Sequence, residues 1–158
     1  MLRKITTSHG RVRQARFAIV ASQYNPRYVD AMVRAAHAEL KRSGAADVAV
    51  IRVPGAFEIP VVAARLARAT ETPFAAILCL GVILRGATTH AQHIGEAVSQ
   101  ALSQIQVHTG IPIIHEVLLL ENRQQALERC LDPRHNRGTE AAQTAVSMAR
   151  VMAALPSS

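Results

Sequence analysis

The sequence has no tryptophan, and its Phe and Tyr residues together make up 3% of the 158. Any core must therefore be aliphatic, built from Ile, Val, Leu and Ala. Cysteine is almost as scarce. Cys79 lies in an apolar run, Cys130 falls near a helix end, and neither has a C-x-x-C or other metal-type spacing. That excludes a disulfide framework and a zinc ribbon and fits two reduced thiols in a cytoplasmic protein. No apolar run approaches the ~20 residues that a membrane span needs, so no membrane partner is expected. The N-terminus lacks the apolar core of a secretory signal.

Acidic residues are missing from the first sixteen positions, which hold Arg3, Lys4, Arg11, Arg13 and Arg16. This segment supplies +5 of the formal net charge of +7. The rest is nearly neutral, with 13 basic and 11 acidic groups. The positive charge thus describes a flexible basic arm over residues 1–15 and not a basic face, and a nucleic-acid partner is not expected. The arm could be solvated or could dock on a neighbouring subunit. Its composition also resembles an organelle transit peptide, but it is short and has few hydroxyl residues.

With 49% of its residues apolar, the chain can bury one good core and is too short for two ordinary domains. Residues 16–158 are read as that single domain. Strands are expected at 16–22, 48–53, 74–80 and 111–118. Helices are expected from Pro26 to the Ser43-Gly44 stop, over 57–69, over 90–108, over 122–131 and over 138–154. Strands alternating with helices predict a three-layer α/β/α fold: a four-stranded parallel sheet, doubly wound in the flavodoxin-like manner. In such folds ligands bind at the carboxyl ends of the strands. The segments to inspect are therefore 23–25, 53–58, 81–90 and 118–122.

Gly81 to Thr89 is expected as a loop joining a buried strand to a helix that starts at His90. Gly86 frees the backbone, Thr88 and Thr89 can cap the helix, and first-turn N–H groups can hold an anion. An ordinary capped helix start fits the same residues. The segment is neither a G-x-x-x-x-G-K-[ST] loop nor a G-x-G-x-x-G turn, so a nucleoside triphosphate is disfavoured. His90 at this entrance can move protons near neutral pH. His93 lies three residues on, but no third ligand is near in sequence, and no metal is expected. Glu58 falls in the first turn of the next-earlier helix, as a dipole-favoured carboxylate or as an acceptor for substrate hydroxyls. Tyr24 at a strand mouth can stack on a flat ring or pack in its loop. Arg129, Arg134 and Arg137 can complement a helix C-terminus or fork onto phosphate oxygens.

Taken in order, these segments resemble the lumazine synthase family over nearly the whole chain from Arg16. The resemblance is carried by Tyr24-Asn25, by Val53-Pro-Gly-Ala-Phe-Glu-Ile-Pro60, and by Gly81 through His90 with Arg85-Gly-Ala-Thr-Thr-His90. Further matches are Glu121-Asn122, Gln125-Ala-Leu-Glu-Arg129 and Asn136-Arg-Gly-Thr-Glu-Ala-Ala142. It implies condensation of 5-amino-6-(ribitylamino)uracil with 3,4-dihydroxy-2-butanone 4-phosphate, giving 6,7-dimethyl-8-ribityllumazine and phosphate without metal or cofactor. By the same resemblance, Gly86, Ala87 and Thr88 hold the phosphate and Arg129 clamps it, while His90 transfers protons. Tyr24 stacks on the pyrimidine, with Asn25 beside it. Ala56, Phe57 and Glu58 hold the ribityl chain, and Val82 and Ile83 read the ring edge. The resemblance also implies pentamer-based assemblies with each active site between two subunits, the segment after Ile113 coming from the neighbour with His115 and Arg137 as substrate contacts. Riboflavin synthase is a candidate further partner.

The sequence departs from the family pattern at three places. His115 stands where an aromatic such as Phe is usual, Leu119-Leu120 replaces a commonly polar pair, and Arg137 replaces Lys. These changes bear on ring affinity and pH profile, not on the fold. They motivate an alternative reading as a weakly active or inactive flavin-binding or lumazine-binding paralogue, and the basic arm motivates one as an assembly protein.

Overall fold

Two of the four strands carry no charged side chain after their first residue, and those two form the middle of the sheet. In the computed structural model, which describes residues 12–156, β1 (Arg16–Ser22) and β3 (Ala76–Leu84) lie side by side, flanked by β2 (Asp47–Val53) and β4 (Ile113–Leu120). The order is β2-β1-β3-β4 and every pairing is parallel. A strand covered on both faces must be apolar throughout, whereas an edge strand can carry Arg52, or His115 and Glu116. Residues 1–11, with Arg3, Lys4 and Arg11 of the expected arm, lie outside the described residues.

Helices α1 (Pro26–Arg42) and α5 (Arg137–Ala154) cover one face, and α2 (Ile59–Ala67) and α3 (His90–Thr109) the other. The core is aliphatic as expected, with Ile19, Leu78, Leu80, Met32 and Leu40 fully buried. Helix α5 meets α1 through Ala141, Ala142 and Ala145 and comes closest at Gly138. There an added Cβ would be driven onto the Met32 carbonyl group, so the two backbones touch.

Several element boundaries differ from the sequence reading, and three of the differences have a clear physical cause. Strand β3 runs through Gly81 to Leu84, so the loop begins only at Arg85. Gly81 is not a breaker here. An added Cβ would sit 3.2 Å from Ser22 Oγ and 3.3 Å from Val117 Cγ1, so the glycine marks a close approach within the sheet. Strand β4 starts at Ile113, because Pro112 has no N–H to donate and serves only as acceptor for Ile77 N at 2.9 Å. The helix expected over 122–131 is a short turn, α4 (Arg123–Ala126), that widens into a π-helical turn over Leu127–Leu131. It ends at Asp132, which precedes Pro133 and takes an extended conformation.

Candidate active site

The turns that leave β1, β2 and β3 meet at the carboxyl ends of the strands, where β1 and β3 separate. Their junction is tied by Asn25. This residue occupies the left-handed region (φ 56°, ψ 51°), which Asn tolerates better than most side chains. It stands at the N-cap of α1, yet its side chain makes no cap bond; Nδ2 donates instead to the Val82 carbonyl at 2.7 Å. The exit of β1 is thereby fastened to the last turn of β3.

Beside this tie lies a cavity of about 840 Å³. Tyr24, Asn25, Ala56, Phe57, Glu58, Val82, Ile83 and His90 all line it. Four stretches of chain far apart in sequence thus converge on one space. Tyr24 and Phe57 are 72% and 62% exposed, so two of the chain's few aromatic rings stand open beside the cavity. Gly55 lets the site close up: a Cβ there would fall 2.8 Å from Glu58 Oε2 and 3.4 Å from Tyr24 Cδ2. The ring and the carboxylate therefore sit together over a backbone with no side chain.

Helix α3 supplies the far wall. His90 is its first residue, and His93, Ile94 and Ala97 also line the cavity. Those three follow His90 at i+3, i+4 and i+7, one helical face, a spacing that could have identified them once His90 was placed. His93 enters the sequence reading only as a metal ligand, and Ile94, Ala97, Gly55 and Leu84 are lining residues that the sequence reading does not single out as contacts. Gly86, Ala87 and Thr88 are exposed and lie in the loop between Leu84 and His90 without lining the cavity themselves. Thr89 is the N-cap of α3 but makes no side-chain cap bond. Thr88 Oγ1 comes within 3.5 Å of His90 N, so capping is weaker than the two threonines suggest. Nothing crowds Gly86, and its backbone faces open space.

Arg129, Arg137 and His115 are not at this cavity. Arg129 and Arg137 line a separate cleft of about 430 Å³ with Glu128, His135 and Glu140. Arg137 is already engaged, its Nε 3.1 Å from Glu116 Oε2 and its Nη1 2.7 Å from Glu140 Oε2. Burial raises the Glu116 carboxyl above its ordinary value in spite of Arg137. Burial, with the Glu116 charge next in weight, pushes the Cys130 thiol up to about 11. Arg129 is exposed on the π-helical turn and makes no ion pair among the described residues. Its guanidinium is thus open to an anion. Buried Asn136, between His135 and Arg137 in the chain, fixes the backbone there, with Nδ2 donating to the Cys130 carbonyl at 2.6 Å and Oδ1 accepting from Gly138 N at 2.8 Å.

No group of three metal-ligating side chains is assembled among the described residues, and none of the described helices is long and apolar enough to cross a membrane.

The model of the family described as 6,7-dimethyl-8-ribityllumazine synthase matches residues 14–153. The chain is 42% identical over 144 residues to a 6,7-dimethyl-8-ribityllumazine synthase of Stenotrophomonas maltophilia, covering 90% of this chain and 92% of that protein. It is 39% identical over the same shares to one of Xanthomonas oryzae pv. oryzae, and 38% identical to one of Xanthomonas campestris pv. campestris.

Proposed function

The chain belongs to the 6,7-dimethyl-8-ribityllumazine synthase family, and from that premise we propose how its two clefts share the work of the reaction. The enzyme condenses 5-amino-6-(ribitylamino)uracil with 3,4-dihydroxy-2-butanone 4-phosphate and releases phosphate, the penultimate step of riboflavin biosynthesis. An amine adds to a ketone, phosphate leaves, and the ring closes. Each step moves protons, and one needs a phosphate held.

The cavity at the ends of β1 and β3 receives the aminouracil. Tyr24 stacks on the ring, and Asn25, Val82 and Ile83 lie along its edge. Ala56, Phe57 and Glu58 take the ribityl chain, with the Glu58 carboxylate accepting from its hydroxyls. His90, on the α3 wall, carries the protons. Gly86, Ala87 and Thr88 present backbone N–H groups and a hydroxyl to the phosphate at the start of α3, where the helix favours an anion. Holding two reactants together supplies much of the rate gain.

One observation carries this reading: eight of the candidate residues line one cavity, while Arg129, Arg137 and His115 lie elsewhere. A site assembled between copies accounts for both halves of that finding. One copy offers the cavity and its neighbour offers Arg129, His115 and Arg137, in a pentamer-based assembly working in the cytoplasm. Riboflavin synthase, which consumes the product, is the further protein partner.

Complementation tests this. His90→Ala and Arg129→Ala are each made, and each is expected to lose activity. Reassembled together at equal amounts, they should regain about one quarter of wild-type turnover, because random mixing gives that share of intact head-to-tail sites. No recovery in mixed assemblies, whose composition is checked by mass spectrometry, overturns the shared site.

A further inference from the structure

Ser99 on α3 and His115 on β4 are both exposed, and their side chains meet, Ser99 Oγ lying 2.7 Å from His115 Nε2. The surrounding bonds decide which atom carries the proton. The Ser99 hydroxyl donates its single proton to the Gly95 carbonyl at 2.8 Å. Its oxygen can therefore only accept from the imidazole, and Nε2 must bear a hydrogen. At the other end of the ring, Nδ1 accepts from the Val117 N–H at 3.1 Å and must be bare. Both constraints assign one species, the neutral imidazole protonated on Nε2. Neither a different tautomer nor the imidazolium satisfies both bonds.

We infer that Ser99 is a positioning residue for the reaction: its hydroxyl holds His115 as the Nε2–H imidazole and fixes the plane that this ring presents to the neighbouring copy's pyrimidine. The inference rests on the proposed reading that His115 contacts the substrate ring. A phenyl group at this position would need no such support, because it has no tautomers and no proton to gain.

The charged and titratable neighbours leave the assignment undisturbed. On α3 the nearest acid in sequence, Glu96, accepts from Gln92 at 2.9 Å. On β3 the register partner is Cys79, whose thiol is raised strongly by burial and stays protonated. Glu116 turns to the opposite face and pairs with Arg137. Partial burial of the ring, against the sheet, lowers the His115 pKa, in keeping with a ring kept neutral.

The test uses the assembled enzyme with Ser99→Ala, Ser99→Thr, His115→Ala, His115→Phe and the double variant Ser99→Ala/His115→Phe. Ser99→Ala should raise KM for the aminouracil about three- to tenfold, the worth of one neutral hydrogen bond, and leave kcat within about twofold. Ser99→Thr should restore it. In the His115→Phe background, Ser99→Ala should have no effect. Imidazole nitrogen NMR on the ligand-free protein should show one Nε2–H tautomer in the wild type and a mixture in Ser99→Ala. Mixed tautomers in the wild type, or a Ser99→Ala effect that persists in the His115→Phe background, would overturn the positioning role. An unchanged KM in His115→Ala, with the single tautomer intact in the wild type, would instead refute ring contact by His115.

Discussion

The cavity beside β1 and β3 and the cleft around Arg129 are built on opposite terms. At the cavity the aromatic rings are left open, Tyr24 and Phe57 standing exposed, and of the polar groups Asn25 alone is spent on tying two strand ends, while Gly86 faces empty space in the loop nearby. In the cleft most polar groups are spent within the chain. Arg137 answers to Glu116 and Glu140, and Asn136 to Cys130 and Gly138. Among the cleft's lining residues Arg137 and Glu140 are ion-paired, whereas Arg129 makes no ion pair among the described residues. A region that receives a ligand keeps its groups free. On the proposed reading, a region that lends one charge to a neighbouring copy's ligand needs the groups around that charge held in place.

Substitutions can break this contrast. His90→Ala should lower kcat/KM by about 10²–10⁴-fold, the usual cost of a missing proton-transfer group, with no change in the melting curve. A small loss in steady-state turnover with His90 gone would shift proton transfer to His93. Gly138→Ala should strike the other region through its scaffold. Its Cβ would be driven into the Met32 backbone, and with no flexible side chain to yield, a loss of about 3 kcal/mol or more is expected in urea unfolding.

Gly55→Ala sharpens the comparison at smaller scale. It should displace the Glu58 carboxylate and the Tyr24 ring together, raising KM for the aminouracil about tenfold and leaving stability nearly unchanged. The pH dependence is subtler. Because burial lowers the His115 pKa, the unfolded chain takes up that proton first. Stability should therefore fall as pH drops below the ordinary imidazole value of 6.5, and His115→Phe should flatten that limb of a melting-temperature profile. The smallest effect is expected at Ser22, whose buried hydroxyl has no partner among the described residues. Ser22→Ala should hold stability or raise it by about 1 kcal/mol, read by thermal unfolding.

Legibility in the sequence followed the same division. The strand and helix order, the parallel sheet and the convergence of Tyr24, Glu58 and His90 could be read from short signals: apolar runs, Pro26 at a helix start, turns after strands. Gly81 misled because a glycine in a strand and a glycine opening a loop look alike until Ser22 and Val117 are seen against it. The π-helical turn at Leu127–Leu131 was invisible for a similar reason, since its extra residue leaves the apolar spacing of Ala126 and Cys130 compatible with an α-helix. That Arg129 stands apart from the cavity is a matter of distance within one chain, which no local pattern encodes. The Ser99–His115 bond joins residues on different elements and left no trace in spacing.

The parallel sheet has one further consequence. All four strands point the same way, so the connections fall at two poles. Those at the carboxyl pole, 23–25, 54–58, 85–89 and 121–122, hold eight of the candidate residues, Tyr24, Asn25, Ala56, Phe57, Glu58, Gly86, Ala87 and Thr88. Those at the amino pole, 43–46, 68–75 and 110–112, hold none and lie about 20 Å away, the length of a seven-residue strand. If the proposed site is right, edits at the amino pole, by mutation, insertion or grafted peptide, should register mainly as changes in stability, and edits at the carboxyl pole as changes in chemistry.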